Sequence, residues 1–301
     1  MPTNTWNTSN IPYQAGRNII ITGANSGIGF ETARALAEKD ANVTMACRNS
    51  ERGKKARDEI LQKYPQAKVE LMVLDLCNLK SIARFAELYS SRYDSLDLLI
   101  NNAGVMATPF EKTMDGFELQ FGGNHLGHFA LTAQLMPLLT QTPNARVVII
   151  SSLAHQMGTI NFQNLNGESG YWRWPAYAQS KLANLLFAFE LQQRLLASGH
   201  TTIVTTAHPG YTATNLQNTS LLARSGNGFL AQGAFHGALP TLRAATDPQA
   251  NSGTYWGPGG FMELRGAPVE VQAMSKARDS QVAKRLWEVS ESLTGISFTL
   301  H

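Results

Sequence analysis

Short apolar runs alternate with longer stretches of helical periodicity along most of the chain. Ile19-Ile20-Ile21 lies within residues 17–22 and ends at a glycine. A run of this length, apolar on both sides, reads as a strand buried on both faces. Residues 27–39 follow with Ile28, Ala33, Leu36 and Ala37 at helical spacing. Further strands are predicted over 43–47, 69–74, 96–100, 147–151 and 203–207. The helices between them are predicted over 51–63, 79–89, roughly 114–139, and 176–196. This βαβα alternation predicts an α/β fold, a doubly wound parallel sheet with helices on both faces.

No linker, repeat or low-complexity segment interrupts the pattern. Residues 17–301 therefore read as a single domain behind an N-terminal extension, 1–16. Beyond Asn218 the pattern is less regular, with helices expected over 229–245 and 271–293. Tyr255-Trp256-Gly257-Pro258-Gly259-Gly260 reads either as a turn near a pocket or as a loop ending a last edge strand.

Composition changes this picture little. Hydrophobic residues are 43% and charged residues 16% of 301, enough for a large core and too apolar for disorder. The net charge of +3 is spread out except for Arg48 to Lys55, so a nucleic-acid partner is not expected. Cys47 and Cys77 end apolar runs and lack ligand spacing, which suits free thiols in a reducing compartment and predicts no metal site. The polar stretch Met1 to Arg17 does not resemble a signal peptide, and no apolar run is long enough to cross a membrane. A cytoplasmic location is the expectation.

The candidate chemistry begins between the first strand and the first helix, at Thr22-Gly23-Ala24-Asn25-Ser26-Gly27-Ile28-Gly29. Gly23 permits a tight turn, Gly27 a close approach to a pyrophosphate, and Gly29 close packing of helix on sheet. Backbone N–H groups from Asn25 to Gly29 and the positive end of the helix suit phosphate. Tyr177 and Lys181 lie four apart on a predicted helix and share a face. A free phenol titrates near pH 10. An adjacent ammonium favours phenolate, so such a pair suits acid–base chemistry.

The TGxxxGxG spacing resembles the short-chain dehydrogenase/reductase family, and that family's other motifs follow in order. Asn101-Asn102-Ala103-Gly104, Asn124, Ser151-Ser152, Tyr177-Ala178-Gln179-Ser180-Lys181 and Pro209-Gly210 stand at the expected places. The resemblance implies a Rossmann-type sheet of about seven strands in the order 3-2-1-4-5-6-7. It implies catalytic Asn124, Ser152, Tyr177 and Lys181. Tyr177 would exchange a proton, Ser152 would hold the substrate oxygen, Lys181 would also bond the nicotinamide ribose, and Asn124 would support a water linking Lys181 to solvent. Asp75 and Leu76 would meet the adenine; Asn102, Ala103 and Gly104 would line the cofactor. Pro209, Gly210, Thr212 and Thr214 would close over it. Some family members pair through the helices that here carry Asn124 and Tyr177 and others are monomers, so a homodimer is one of two expectations.

NAD-binding members of the family carry Asp where this chain has Cys47, and Arg48 comes next. A carboxylate would repel a 2′-phosphate, whereas a guanidinium can grip it. NADP(H) is therefore the expected cofactor. The histidines read otherwise: His125 and His128 as packing residues, His155 as a pocket-lining one, and His208 as structural.

Ala46-Cys47-Arg48-Asn49, Asn124-His125-Leu126-Gly127-His128-Phe129 and Ser151-Ser152-Leu153-Ala154-His155 are similar to the retinol dehydrogenase branch. WW-domain oxidoreductases and light-dependent protochlorophyllide reductases are relatives of that branch. The resemblance implies a small apolar carbonyl or alcohol substrate such as all-trans-retinal. A general carbonyl reductase acting on other aldehydes, ketones or quinones is the alternative. A non-catalytic NADP(H)-binding scaffold and a protochlorophyllide reductase are minor ones. Twenty-five positions separate Ser152 from Tyr177. The segment 155–175 between them, with Phe162, Tyr171, Trp172 and Trp174, is expected to roof the substrate pocket. Segment 212–237 is expected to close over substrate or to contact a membrane surface peripherally.

Overall fold

Ile19 and Ile21 point to one face of the first strand and Ile20 to the other, and all three are fully buried. A strand with no polar face needs cover on both sides. The computed structural model describes residues 5–212 and 233–300 and supplies that cover. The strands are β1 (Asn18–Thr22), β2 (Asn42–Cys47), β3 (Lys68–Val73), β4 (Leu98–Asn101), β5 (Arg146–Ile150), β6 (Ile203–Ala207), β7 (Tyr255–Pro258) and β8 (Pro268–Glu270). They form one sheet in the order β3-β2-β1-β4-β5-β6-β7-β8. Neighbours run parallel from β3 through β7, and β8 pairs antiparallel through Trp256 and Glu270. The winding reverses between β1 and β4, which leaves a crevice at their carboxyl ends.

On the Ile19 and Ile21 face lie α1 (Gly27–Ala37), α2 (Ser50–Lys63) and α6 (Ala234–Thr246), through Leu36, Ile60 and Leu242. On the Ile20 face lie α3 (Leu79–Ser90), α4 (Gly127–Gln141) and α5 (Arg173–Ala197), through Phe85, Phe129 and Leu191. A last helix, α7 (Ser280–Thr294), packs through Leu286 and Trp287. Trp6 and Ile11 of the N-terminal extension join the first of these cores.

Two expected helix starts moved well along the chain, each for a local reason. The helix predicted from about residue 114 starts at Leu119. Gly116 takes a positive φ of 87°, and Glu118 accepts from the N–H groups of Gln120 and Phe121. Glu118 is therefore the true cap. The helix predicted from 271 starts at Ser280, because Asp279 caps it through the N–H groups of Gln281 and Val282. Residues 255–258, the ambiguous Gly/Pro-rich stretch, form β7. The eighth strand was not expected: it is three residues long and begins with Pro268, too short for alternation to register. Part of the expected helix 229–245 lies outside the described residues. Among the described residues, no helix is long and apolar enough to cross a membrane.

His125 and His128 are packing residues, as expected. The His125 ring lies among Phe121, Phe129 and Phe187, with centroids 5.2–6.2 Å away. Its Nε2 meets Ser290 Oγ at 2.9 Å. That hydroxyl already donates to the Leu286 carbonyl, so the ring donates. Nδ1 is buried without a partner. Burial, with a smaller contribution from His128, pushes the His125 pKa down to about 3; burial likewise pushes His128 down to about 4.

The unfolded chain therefore takes up these protons first, and stability is full only above about pH 6.5. It should fall as pH drops toward 4, by about 1.4 kcal/mol per pH unit for each ring. His125→Phe should flatten that slope by about one ring's share. Denaturant midpoints of both proteins between pH 7 and 4.5 check this, and parallel pH profiles would contradict it.

Candidate active site

The crevice at the carboxyl ends of β1 and β4 is a cleft of about 570 Å³. Its floor is made by Gly23, Asn25, Ser26, Gly27, Ile28 and Gly29. Gly23 and Gly27 have φ of 67° and 57°, which β-carbon-bearing residues rarely adopt. Gly29 is required for another reason. A Cβ there would lie 2.5 Å from the Gly23 carbonyl and 2.6 Å from Asn102 Nδ2. Helix α1 opens into the cleft with no side-chain cap bond from Ser26 and no acidic residue in its first turn. Its N–H groups and its positive dipole end are thus left for an anion.

The walls bring together Arg48 after β2, Asp75 and Leu76 after β3, and Asn102, Ala103 and Gly104 after β4. Asn124, Tyr177, Lys181 and Pro209 complete the lining. Ser152, Gly210 and Thr212, expected at the site, do not line this cleft. The Thr212 hydroxyl donates to the Pro209 carbonyl at 2.7 Å and so braces the turn. Gly210 has a φ of 67° and packs on the Glu263 and Leu264 carbonyls. Thr214 lies outside the described residues. Arg52 also lines the cleft and was missed. The available signal was its place one helical turn beyond Arg48, at the start of α2.

Thr22 ties the two central loops together. Its hydroxyl accepts from the N–H groups of Asn102 and Ala103, both at 2.9 Å, and Asn102 Nδ2 donates to the Thr22 carbonyl at 2.8 Å. The Cys47 thiol is buried and its pKa is pushed up to about 11, chiefly by burial. The end of β2 therefore presents no negative charge to the cleft.

The reacting end is built on three backbone features. A π-turn over Gly122–Leu126 carries Asn124, whose side chain accepts from Val105 N–H at 2.8 Å and donates to the Val105 carbonyl at 2.9 Å. Its Nδ2 also donates to Ser180 Oγ, which in turn donates to the Tyr177 carbonyl. Ser180 was not singled out from the sequence, yet it links Asn124 to the helical turn that holds Tyr177 and Lys181. Tyr177 and Lys181 are 7% and 4% exposed, with Lys181 Nζ 5.7 Å from the phenol ring centroid. Nζ also approaches the Ile150 carbonyl at 3.4 Å.

Burial pushes Lys181 down to about 8. Burial raises the Tyr177 phenol, and a hydrogen bond with Ser152 opposes this. The phenolate-favouring effect expected of Lys181 is not among the causes of this shift: burial prevails in the protein alone, and the phenol keeps its proton at neutral pH. The two serines separate cleanly: Ser151 donates to the Lys181 carbonyl at 2.8 Å, whereas Ser152 faces the phenol.

His155 is buried; its Nδ1 bonds the Ser152 carbonyl at 2.7 Å. His208 is structural: Nδ1 accepts from Gly210 N–H and Nε2 bonds Glu263 at 2.8 Å. No group of three or more metal-ligating side chains occurs among the described residues. The 155–175 segment reaches Tyr177 through the edge of Trp174, 6.4 Å between ring centroids. Tyr171 is fixed by Thr108 and Gln120 and packs on Phe110, while Trp172 is 78% exposed.

With this geometry in view, comparison with known proteins gives consistent results. The family profile described as short chain dehydrogenase matches residues 17–224. Retinol dehydrogenase 12 of Mus musculus is 42% identical over 293 residues, covering 94% of this chain and 88% of that protein. Retinol dehydrogenase 11 of Homo sapiens is 41% identical, covering 93% and 86%. A solved structure of an uncharacterized protein from Mycobacterium paratuberculosis superposes with a TM-score of 0.84 at 43% identity, covering 98% of this chain and all of that one. A short chain dehydrogenase from Shigella flexneri, complexed with NADP, superposes at 0.65 with 23% identity, over 82% and 98%, a likeness of fold.

Gly29→Ala tests the packing of the loop. Overpacking should destabilise by about 1–3 kcal/mol, against the roughly 1 kcal/mol by which alanine favours a helix. A net fall in the denaturant midpoint is expected. An unchanged or higher midpoint would mean that Gly23 and Asn102 can give way.

Proposed function

We propose that this chain, which belongs to the short chain dehydrogenase family and within it to the retinol dehydrogenase-like branch, is an NADP(H)-dependent oxidoreductase. It interconverts an apolar aldehyde or ketone with its alcohol, and all-trans-retinal with retinol is the foremost pair. The observation that carries this reading is a buried, protonated Tyr177 beside Lys181 and Ser152, at the end of a cleft floored by an uncapped helix N-terminus.

The donor set of the cleft fits a phosphorylated dinucleotide. The Gly23–Gly29 backbone and the start of α1 suit the pyrophosphate. Arg48, seconded by Arg52, suits the 2′-phosphate, and the neutral Cys47 thiol does not oppose it. Asp75 and Leu76 would meet the adenine, and Asn102, Ala103 and Gly104, which line the cleft, would hold the rest of the cofactor. Pro209 lines the cleft beside them. NADPH, when bound, supplies the hydride.

The remaining chemistry belongs to the protein. Ser152 holds the substrate oxygen and Tyr177 gives it a proton from Oη. Lys181 stabilises the resulting phenolate and bonds the ribose, and Asn124 supports a water that returns the proton. Trp174, which stands edge to face with Tyr177, offers an aromatic surface to a flat apolar substrate. The same aromatic surface suits quinones and short aromatic aldehydes, which favours the general carbonyl reductase as the second reading.

Three measurements test this. NADPH should bind at least about tenfold more tightly than NADH, and Arg48→Ala with Arg52→Ala should abolish the difference. Fluorescence titration reads both, and a preference for NADH would refute the cofactor assignment. Tyr177→Phe should leave NADPH affinity unchanged while lowering kcat by about 10²-fold or more, with retinal, quinones and short aldehydes compared as substrates. Because Lys181 titrates near 8, its ammonium is lost as pH rises, so kcat for carbonyl reduction should be level near neutrality and decline above about pH 8. A rate that climbs through that range would contradict the roles given to both side chains.

A further inference from the structure

His128 was read from the sequence as packing, and it is fully enclosed: 1% exposed, one turn beyond Asn124. Its two ring nitrogens nevertheless meet two different parts of the site. Nδ1 lies 3.0 Å from the Asn124 carbonyl oxygen and Nε2 lies 2.9 Å from Thr22 Oγ1.

The proton positions follow from counting donors and acceptors. A carbonyl oxygen can only accept, so Nδ1 carries a hydrogen. A second ring proton would place a charge in a fully buried site beside Lys181, which both burial and that ammonium disfavour. Nε2 is therefore bare and accepts. Thr22 Oγ1 already receives two N–H groups, from Asn102 and Ala103, and has one hydrogen to give. The His128 ring at 2.9 Å is a better acceptor for it than the Ile100 carbonyl at 3.4 Å. Every donor and acceptor in the chain then runs one way: Asn102 and Ala103 N–H to Thr22, Thr22 O–H to His128, His128 Nδ1–H to the Asn124 carbonyl.

The backbone that carries the ring is itself fixed. Thr132 Oγ1 donates to the His128 carbonyl at 2.7 Å and accepts from Asn101 Nδ2 at 2.8 Å, so β4 and α4 are tied at the same level. The π-turn over Gly122–Leu126 ends just before α4, so regular helical bonding is interrupted at Asn124. An imidazole then reaches back to the Asn124 carbonyl.

We infer that His128 is a positioning residue that joins the cofactor loop to the proton-transfer group. Through Nε2 it holds Thr22, and with it the Asn102-Ala103 wall. Through Nδ1–H it holds the carbonyl of Asn124 on the π-turn. The inference rests on the proposed NADP(H)-dependent carbonyl chemistry for its functional meaning, but the hydrogen-bond assignment stands in the protein alone.

Two amides divide the ring's roles. The Asn side chain reaches about as far as Nδ1, and the Gln side chain about as far as Nε2. His128→Asn should keep the bond to the Asn124 carbonyl and release Thr22. NADPH Kd by fluorescence should rise about fivefold or more, with kcat at saturating NADPH nearly retained. His128→Gln should keep Thr22 and release Asn124. Its kcat should fall about tenfold and the alkaline limb of its pH profile should shift, with NADPH Kd nearly unchanged. Separately, ¹⁵N-histidine spectra of the wild-type protein at pH 7 without cofactor should show His128 neutral and protonated at Nδ1.

An Nε2–H tautomer overturns the inference whatever the variants do. So does any result in which the two variants are alike, whether both match wild type or both lose affinity and turnover in step with melting temperature. A wild-type protein that binds no NADPH, yet shows the Nδ1–H tautomer, would instead sink the proposed function and leave the hydrogen-bond assignment standing.

Discussion

The structure turns on the grip of Thr22 on the Asn102-Ala103 peptide, across the carboxyl ends of β1 and β4. A doubly wound sheet opens at that point, because connections leave toward opposite sides. Backbone N–H groups that emerge there have lost their ladder partners and must find others. One threonine hydroxyl satisfies two of them and its own carbonyl takes an amide side chain. The glycine loop on one side and the Asn102–Gly104 wall on the other are thereby fixed relative to each other. Gly29 has to lack a Cβ because this closure leaves no room between Gly23 and Asn102. The width of the cleft is thus set by packing within the protein.

Much of this was legible in the sequence because it depends on residues whose chemistry acts locally. A glycine loop between an isoleucine run and an amphipathic stretch can be placed without knowing the tertiary structure. Tyr177 and Lys181 share a face by spacing alone. Cys47-Arg48 carries its meaning in the charge at a strand end. What was missed acts across space. Arg52 enters the cleft only because α2 starts where Asn49 caps it. Ser180 matters because Asn124, fifty-six positions earlier, points at it. Glu118 overrode the expected helix start through two cap bonds that periodicity does not register. Strand β8 exists because β7 offers an edge, and its own three residues carry too little pattern. The expected lid, 213–232 with Thr214, lies outside the described residues.

The electrostatics of the site depend on which groups are kept neutral. His125 and His128 are enclosed among aromatic rings and hydrogen bonds that suit the uncharged form, and burial pushes both well below their ordinary range. A charged His128 would be opposed by the Lys181 ammonium. With that ring neutral, the positive charge near Tyr177 is left to Lys181, whose own pKa has been lowered to about 8. The phenol, raised by burial, keeps its proton. An acid that holds its proton until a carbonyl oxygen arrives suits reduction, and a cation near its titration point can answer the charge that forms on the phenolate.

The same division explains why the core fixes the reaction more tightly than the substrate. Thr22, Asn124, Tyr177 and Lys181 are buried at a strand end or on cross-linked helix turns, and Ser152 follows directly on β5, so their positions follow from the sheet. Of the aromatic residues on this side, Trp174 stands in the first turn of α5, and Tyr171 and Trp172 belong to the connection before it. Tyr171 is held by Thr108 and Gln120, but Trp172 projects into solvent and Trp174 meets the phenol at a steep angle, 6.4 Å between ring centroids. A flat apolar molecule that covers these rings would gain roughly 25 cal/mol for each Å² of apolar surface removed from water, with few polar contacts to specify its length. Discrimination among carbonyl compounds must then come from the shape of the 155–175 connection, because a hydrophobic wall separates substrates by only about 1–3 kcal/mol per methylene. In the proposed reaction, the sheet and its buried hydrogen bonds bring a carbonyl oxygen to Tyr177, and the loops select which carbonyl it is.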